Sequence, residues 1–241
     1  MDLGLKGRSV LVTGGSKGIG LACAKAFAAE GCRVHLAARD TDRLAQAARA
    51  LGAVKTHSVD QRDGAALRAL AKECADVDIL VNNAGDIPGG TIETLDEARW
   101  RHAWELKVFG FINLTRELYP RMKSRKAGVI VNVIGMAGEH GTFEYICGAT
   151  ANAGLANFTK ALGKGYAQHG VRVVGVHPPS TRTDRIITLM KAQAKAKFGD
   201  ETRYEELMGN VIEPEQVGDT VCFLASPRAG QLSGVVLNLG A

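Results

Sequence analysis

Thr13-Gly14-Gly15-Ser16-Lys17-Gly18-Ile19-Gly20 decides the reading of this chain. It follows the β-branched run Val10 to Val12 and precedes a segment in which Ile19, Cys23 and Phe27 recur at i, i+4 and i+8, so it reads as strand, turn and helix. Glycines at 14, 18 and 20 allow a tight turn whose backbone can approach a pyrophosphate. The N-terminus of the following helix favours an anion there through its unpaired N–H groups and its dipole. A glycine-rich turn alone is a weak signal, and the strand-turn-helix setting strengthens it.

Working outward, short apolar or β-branched runs recur at Val34 to Ala37, Lys55 to Val59, Ile79 to Val81, Val129 to Val133, Val171 to Val176 and Val235 to Leu237. Helix-periodic segments separate most of them. This alternation predicts an α/β fold, a doubly wound parallel sheet of about seven strands with helices on both faces. Turn signals are evenly spread, with no linker or repeat, so residues 1–241 read as a single domain. One excursion, 183–214, breaks the rhythm after the sixth strand. A long insertion at the carboxyl end of a strand is where a substrate lid would sit.

Composition narrows the function classes. Among 241 residues, 46% are hydrophobic and 23% charged, the balance of a globular protein and not of a disordered or fibrous one. No apolar run approaches the ~18 residues of a membrane span. The start, Met1-Asp2-Leu3-Gly4-Leu5-Lys6-Gly7, lacks the order of a signal peptide, so a cytoplasmic location is expected. The net charge of +5 is spread out. The basic stretch Arg121 to Lys126 and the set Lys191, Lys195 and Lys197 lack interleaved aromatics and read as solvated helix faces, not a nucleic-acid surface. Cys23, Cys32, Cys74, Cys147 and Cys222 are scattered, with no Cys-x-x-Cys and no nearby His at ligand spacing, so reduced thiols and no metal are expected.

With Asp60 after the third strand, Asn82-Asn83-Ala84-Gly85 after the fourth, then Trp100, Ile130-Val131-Asn132 and Thr183 in order, the chain resembles the short-chain dehydrogenases/reductases over nearly its whole length. The resemblance implies a Rossmann-type sheet, a nicotinamide cofactor and a small-molecule substrate. It also implies a homotetramer or homodimer built through the helices around Trp100 to Met122 and Ala149 to Gly165. By the same resemblance Asp60 meets the adenine amino group, Asn83 supports the central crossing beneath the cofactor, and Thr183 binds the carboxamide or a phosphate. Gly14, Ser16, Lys17, Gly18, Ile19, Gly20, Arg39, Asp60, Asn83, Ala84, Gly85 and Thr183 are the cofactor-contact candidates. An acidic residue at the end of the second strand would bond the 2′-hydroxyl of NAD and repel a 2′-phosphate. This chain has Ala38 and Arg39 there, with Lys17 in the glycine turn, so NADP(H) is expected over NAD(H).

The catalytic end departs from the family. Its usual chemistry moves a hydride between nicotinamide and a carbonyl or alcohol carbon while a Tyr handles the proton, a Lys lowers the Tyr pKa, a Ser polarises the substrate oxygen and an Asn holds a water linked to the Lys. In family register, Gly135 stands at the Ser position, Gly148 at the Tyr, Asn152 at the Lys and Lys107 at the Asn. Lys and Asn are thus exchanged. Tyr145 precedes Gly148 by three residues and Asn152 by seven, on one helical face if the helix reaches that far. Gly148 has no side chain to block its ring. Tyr145, Lys107 and Asn152 are therefore the catalytic candidates: proton carrier, its electrostatic partner, and a group for the nicotinamide ribose. Tyr145-x6-Asn152 also has the Tyr-x6 spacing of the enoyl-carrier-protein reductase branch. His140 is a candidate donor to the substrate oxygen, and Asn132 is expected to anchor backbone. Pro178-Pro179 stands where Pro-Gly is usual and puts the path of the loop to Thr183 in question.

Three functions stay open on these residues: an NADP(H)-dependent carbonyl or alcohol oxidoreductase with a rearranged site, an enoyl (C=C) reductase, and a catalytically silent dinucleotide-binding protein.

Overall fold

The run before the glycine turn forms β1 (Ser9–Thr13), buried along its whole length, and the turn feeds α1 (Gly18–Ala29), where Cys23 and Phe27 are fully buried. A computed structural model describes residues 1–209 and 211–240. After α1 come β2 (Arg33–Ala38), α2 (Thr41–Leu51), β3 (Lys55–Ser58), α3 (Gly64–Glu73), β4 (Ile79–Asn82) and α4 (Glu97–Trp104). A π-helical turn (Glu105–Phe109) joins α4 to α5 (Gly110–Ser124), followed by β5 (Gly128–Val133), α6 (Ile146–Gly163), α7 (Tyr166–His169) and β6 (Val171–His177). The chain closes with α8 (Asp184–Phe198), α9 (Glu205–Met208), α10 (Pro214–Ala225) and β7 (Val235–Asn238).

All seven strands are parallel, in the order β3-β2-β1-β4-β5-β6-β7. The period of two divides each inner strand between two cores. Val10 and Val12 join Phe27, Val34, Leu36 and Val221 on one face, while Leu11, Leu80 and Ile130 join Leu67, Leu70, Leu114 and Leu118 on the other. After β1 the chain winds out to β3, then returns to place β4 on the opposite side of β1. The loops leaving β1 and β4 therefore diverge, and this switch point opens the crevice where ligands bind in such sheets.

Buried polar groups tie the layers together. Asn82 Nδ2 donates to Thr115 Oγ1 at 3.1 Å and to Asn132 Oδ1 at 2.9 Å, and Asn132 Nδ2 donates to Thr159 Oγ1 at 2.8 Å. Asn132 thus anchors side chains from β4 and α6 and not backbone, because its strand carbonyls and amides are already spent in the ladder. Arg172, buried in β6, donates to the carbonyls of Ala229, Leu232 and Ser226 at 3.0–3.2 Å.

The excursion is stapled at its base. Arg182 N donates to Ile212 O at 2.9 Å and Ile212 N to Ser180 O at 3.1 Å, with Arg182 Nε on Glu213 Oε1 at 3.0 Å. Between these points run α8, a 3₁₀ turn (Glu201–Tyr204) and α9; residue 210 of the expected 183–214 segment and residue 241 of the expected domain lie outside the described residues. Lys191, Lys195 and Lys197 are exposed on α8 as expected, and two of them also lie over rings: Lys191 is 5.4 Å from the Tyr204 centroid and Lys197 5.3 Å from that of Phe198. Among the described residues no helix is long and apolar enough to cross a membrane.

Candidate active site

Thr13 organises the crevice from the end of β1. Its hydroxyl accepts from Asn83 N at 2.9 Å and Ala84 N at 3.1 Å, while Asn83 Nδ2 donates to Thr13 O at 2.9 Å. These bonds hold the loop after β4 against the glycine turn. Gly14 takes φ +63°, and a Cβ there would stand 2.9 Å from Asn83 Nδ2 and 3.0 Å from Ala84 Cα. A Cβ on Gly20 would run into the Gly14 carbonyl. The turn closes only because these side chains are missing, which leaves N–H groups at the start of α1 free to face an anion. Thr183 Cγ2 lies 3.2 Å from where a Gly18 Cβ would be, so Thr183 borders the turn despite Pro178-Pro179. Ile19 is partly buried in the first turn of α1, and Ser16 sits half-exposed in the glycine turn.

Lys17 and Arg39 are both exposed at this mouth. Asp60 is more occupied than its sequence suggests. Arg62 Nε reaches its two oxygens at 2.9 and 3.1 Å, a second guanidinium nitrogen closes the fork, and Arg62 N donates to Oδ1 at 3.0 Å. This Arg62 fork holds the Asp60 pKa down at about 2.

Deeper in, the side chain of Lys107 leaves the π-helical turn and passes Gly85, where a Cβ would stand 2.9 Å from Lys107 Cδ. Its buried Nζ donates to Ile134 O at 2.6 Å and to Asn152 Oδ1 at 2.8 Å. Lys107 and Asn152 therefore meet across the site. Burial, reinforced by the positive charge of Arg185, brings the Lys107 pKa down to about 7. Asn152 Nδ2 points to Gly135 O at 3.4 Å, and Gly135 has φ +126° with no room for a Cβ beside that amide.

Tyr145 is the residue before α6, with φ −139° and ψ 32°, so the helix starts one residue later than a shared helical face requires. The ring nonetheless folds over Gly148: a Cβ there would fall among its Cε1 and Cζ atoms and 2.6 Å from the hydroxyl oxygen. Ile87, Leu95, Cys147 and Trp100 pack in the same cluster. Among the described residues no hydrogen bond joins Tyr145 to Lys107; the lysine's side-chain contact is Asn152. His140 is exposed, outside this group.

Residues 8–194 match the family described as short chain dehydrogenase. The chain belongs to the short chain dehydrogenases. It is 31% identical to the 3-oxoacyl-[acyl-carrier-protein] reductase FabG of Vibrio cholerae, covering 98% of this chain and 97% of that one. It is 34% identical to the galactitol 2-dehydrogenase (L-tagatose-forming) of Cereibacter sphaeroides, covering 97% and 93%. Its fold matches that of the L-sorbose reductase of Gluconobacter frateurii complexed with NADPH and L-sorbose, with a TM-score of 0.92, 30% identity and coverage of 99% and 97%. As a family member it is an oxidoreductase that uses a nicotinamide cofactor.

Three site groups of this short chain dehydrogenase escaped sequence reading. His177, fully buried at the end of β6, lies 2.6 Å through Nδ1 from Gly135 O, with Nε2 3.1 Å from Glu139 Oε1 but out of hydrogen-bond alignment. Burial holds its pKa below the ordinary histidine value, so the neutral ring donates from Nδ1. Arg185 on α8 donates to Ile87 O at 2.5 Å, bringing the excursion's charge near Lys107. Arg62 on Asp60 is the third. A polar residue closing the run Val171 to Val176, apolar apart from Arg172, was a usable signal for His177; Arg62 and Arg185 carried none.

Proposed function

We propose that this short chain dehydrogenase is specific for NADP(H) and interconverts a carbonyl and an alcohol on a small, partly apolar substrate, using a rearranged site in place of the family's Ser, Tyr and Lys. The observation that carries the reading is the Lys107 Nζ bond to Asn152 Oδ1 beside a Tyr145 ring seated over Gly148. The turn of Gly14, Gly18 and Gly20 suits a pyrophosphate, with Asn83, Ala84 and Gly85 below it. Lys17 and Arg39 would hold a 2′-phosphate and Thr183 the nicotinamide end. Bound there, a nicotinamide would provide the hydride-transfer chemistry at the substrate carbon. Tyr145 gives or takes the proton at the substrate oxygen. Lys107, buried with a pKa near neutrality, supplies the positive charge that favours the phenolate and can itself exchange a proton. Asn152 orients Lys107 and presents its amide towards the nicotinamide ribose.

The segment 183–214 is read as the substrate lid of a single domain. Exposed Phe143 and Ile92 lie within two residues of the Tyr145–Gly90 bridge, and Leu189 is exposed on α8, which favours a partly apolar substrate. The test follows nicotinamide absorbance with NADPH and NADH over a panel of ketones, aldehydes, alcohols and enones. Tyr145→Phe is expected to lower kcat by about 10²- to 10⁴-fold with NADPH affinity unchanged. Undiminished turnover in both Tyr145→Phe and Lys107→Met sinks this site. A second reading, dinucleotide binding without turnover, draws on the bare Gly135 and the absent Tyr145–Lys107 hydrogen bond; tight NADPH binding with no turnover across the panel favours it.

A further inference from the structure

His35 in β2, His57 in β3 and Cys74 just after α3 come together beyond the reacting groups, although 22 and 17 residues separate them in sequence. His35 Nδ1 lies 3.1 Å from His57 Nε2, and Cys74 Sγ lies 3.5 Å from the first and 3.6 Å from the second. We propose that these three side chains form a binding site for a zinc-class divalent cation, with two imidazole nitrogens and one thiolate as ligands and water as the fourth.

The distances fit the chemistry. With Zn–N of about 2.05 Å and Zn–S of about 2.3 Å, a tetrahedral ion separates two nitrogens by about 3.35 Å and a nitrogen from sulfur by about 3.5 Å. Sulfur is placed almost equally from both nitrogens, whereas a single S–H could serve only one of them. Without metal the two rings, 5° from parallel, are joined by one proton from His35 Nδ1 to His57 Nε2. A cation replaces that bridge once the nitrogens widen slightly and both rings turn to aim their lone pairs at the ion instead of at each other.

The His57 tautomer is already arranged for it. Glu73 Oε2 accepts from His57 Nδ1 at 3.0 Å, which leaves the Nε2 lone pair facing the triangle. Carboxylate behind an imidazole is the usual second support of a metal-bound histidine. His35 moves its proton to Nε2 and ligates through Nδ1. Cys74 is fully buried, and its thiol proton leaves as sulfur binds the metal. One proton is released per ion, and the zinc-class mix of nitrogen and sulfur follows from these donors. The bound ion would fasten the edge strand β3 to β2 and to the end of α3.

The experiment uses the full untagged chain, stripped with chelator, kept reduced, and titrated with Co²⁺ and then Zn²⁺. Expected are one equivalent of Co²⁺, a thiolate-to-cobalt charge-transfer band, the intense visible bands of tetrahedral cobalt, and their displacement by Zn²⁺. Cys74→Ser removes the charge-transfer band and His57→Gln weakens binding at least tenfold. Glu73→Gln weakens it about 10- to 100-fold. Failure of the wild-type chain to take up stoichiometric Co²⁺ overturns the proposal, as does an unchanged cobalt spectrum in Cys74→Ser.

Discussion

Gly148 defines part of this site by lacking a side chain. Alanine there is favoured by about 0.8–1 kcal/mol on helix propensity alone, yet its methyl would fall within the Tyr145 ring. Gly148→Ala is therefore expected to expel the ring and lower kcat as far as Tyr145→Phe does, with little change in melting temperature; paired kinetic and thermal measurements check it. At the cofactor mouth, Arg39→Ala removes a charge-assisted contact to a 2′-phosphate of about 1.5–3 kcal/mol. NADPH affinity should fall about 10- to 100-fold while NADH affinity holds, and an equal loss for both would contradict the assigned specificity. Tyr145, Gly148, Lys107 and Asn152 could be picked from spacing because they occupy a recognisable register. Arg62 and Arg185 could not, because their partners are fixed by loop paths that no local pattern encodes.

Elements carry energy that single contacts do not reveal. Arg172 takes its guanidinium from β6 to three carbonyls around the end of α10 and the following turn, all inside the fold. Arg172→Met leaves those acceptors without a donor, at about 1–3 kcal/mol for an unsatisfied buried group. A loss of about 3 kcal/mol or more in denaturant unfolding is expected, and a loss below about 1 kcal/mol would mean that water replaces the guanidinium. The strands other than β3 were legible because each is a short, mainly β-branched or apolar run bounded by turns, β3 being the polar edge segment Lys55-Thr56-His57-Ser58, and their parallel order follows from the helices between them. The π-helical turn was not legible, since periodicity in Glu97 to Ser124 reads equally well as one helix.

For the whole molecule, Lys107 makes stability depend on pH. Its folded pKa is about 7, below the unfolded value near 10.5, so the unfolded chain binds more protons between those limits. Stability relative to Lys107→Met should be flat below pH 7 and rise from pH 7 towards pH 10, by up to about 1.4 kcal/mol per unit. Unfolding curves at pH 6, 8 and 9 check this; parallel pH profiles for the two proteins would place the lysine's pKa near its ordinary value. The buried charge was foreseeable as a residue in family register, but its depressed pKa arises only when π-turn, β5 and α6 close around it. That turn has a heritable consequence. Its wider winding stores one residue beyond what α4 and α5 need to run as a single helix, so a codon lost here leaves the sheet threaded as before. The same loss re-aims or removes the residues inside the turn itself, Lys107 among them, while α4 and α5 keep their facing. Lineages descending from this chain can therefore shed the lysine's inward aim through one deletion, keeping the scaffold and abandoning the chemistry.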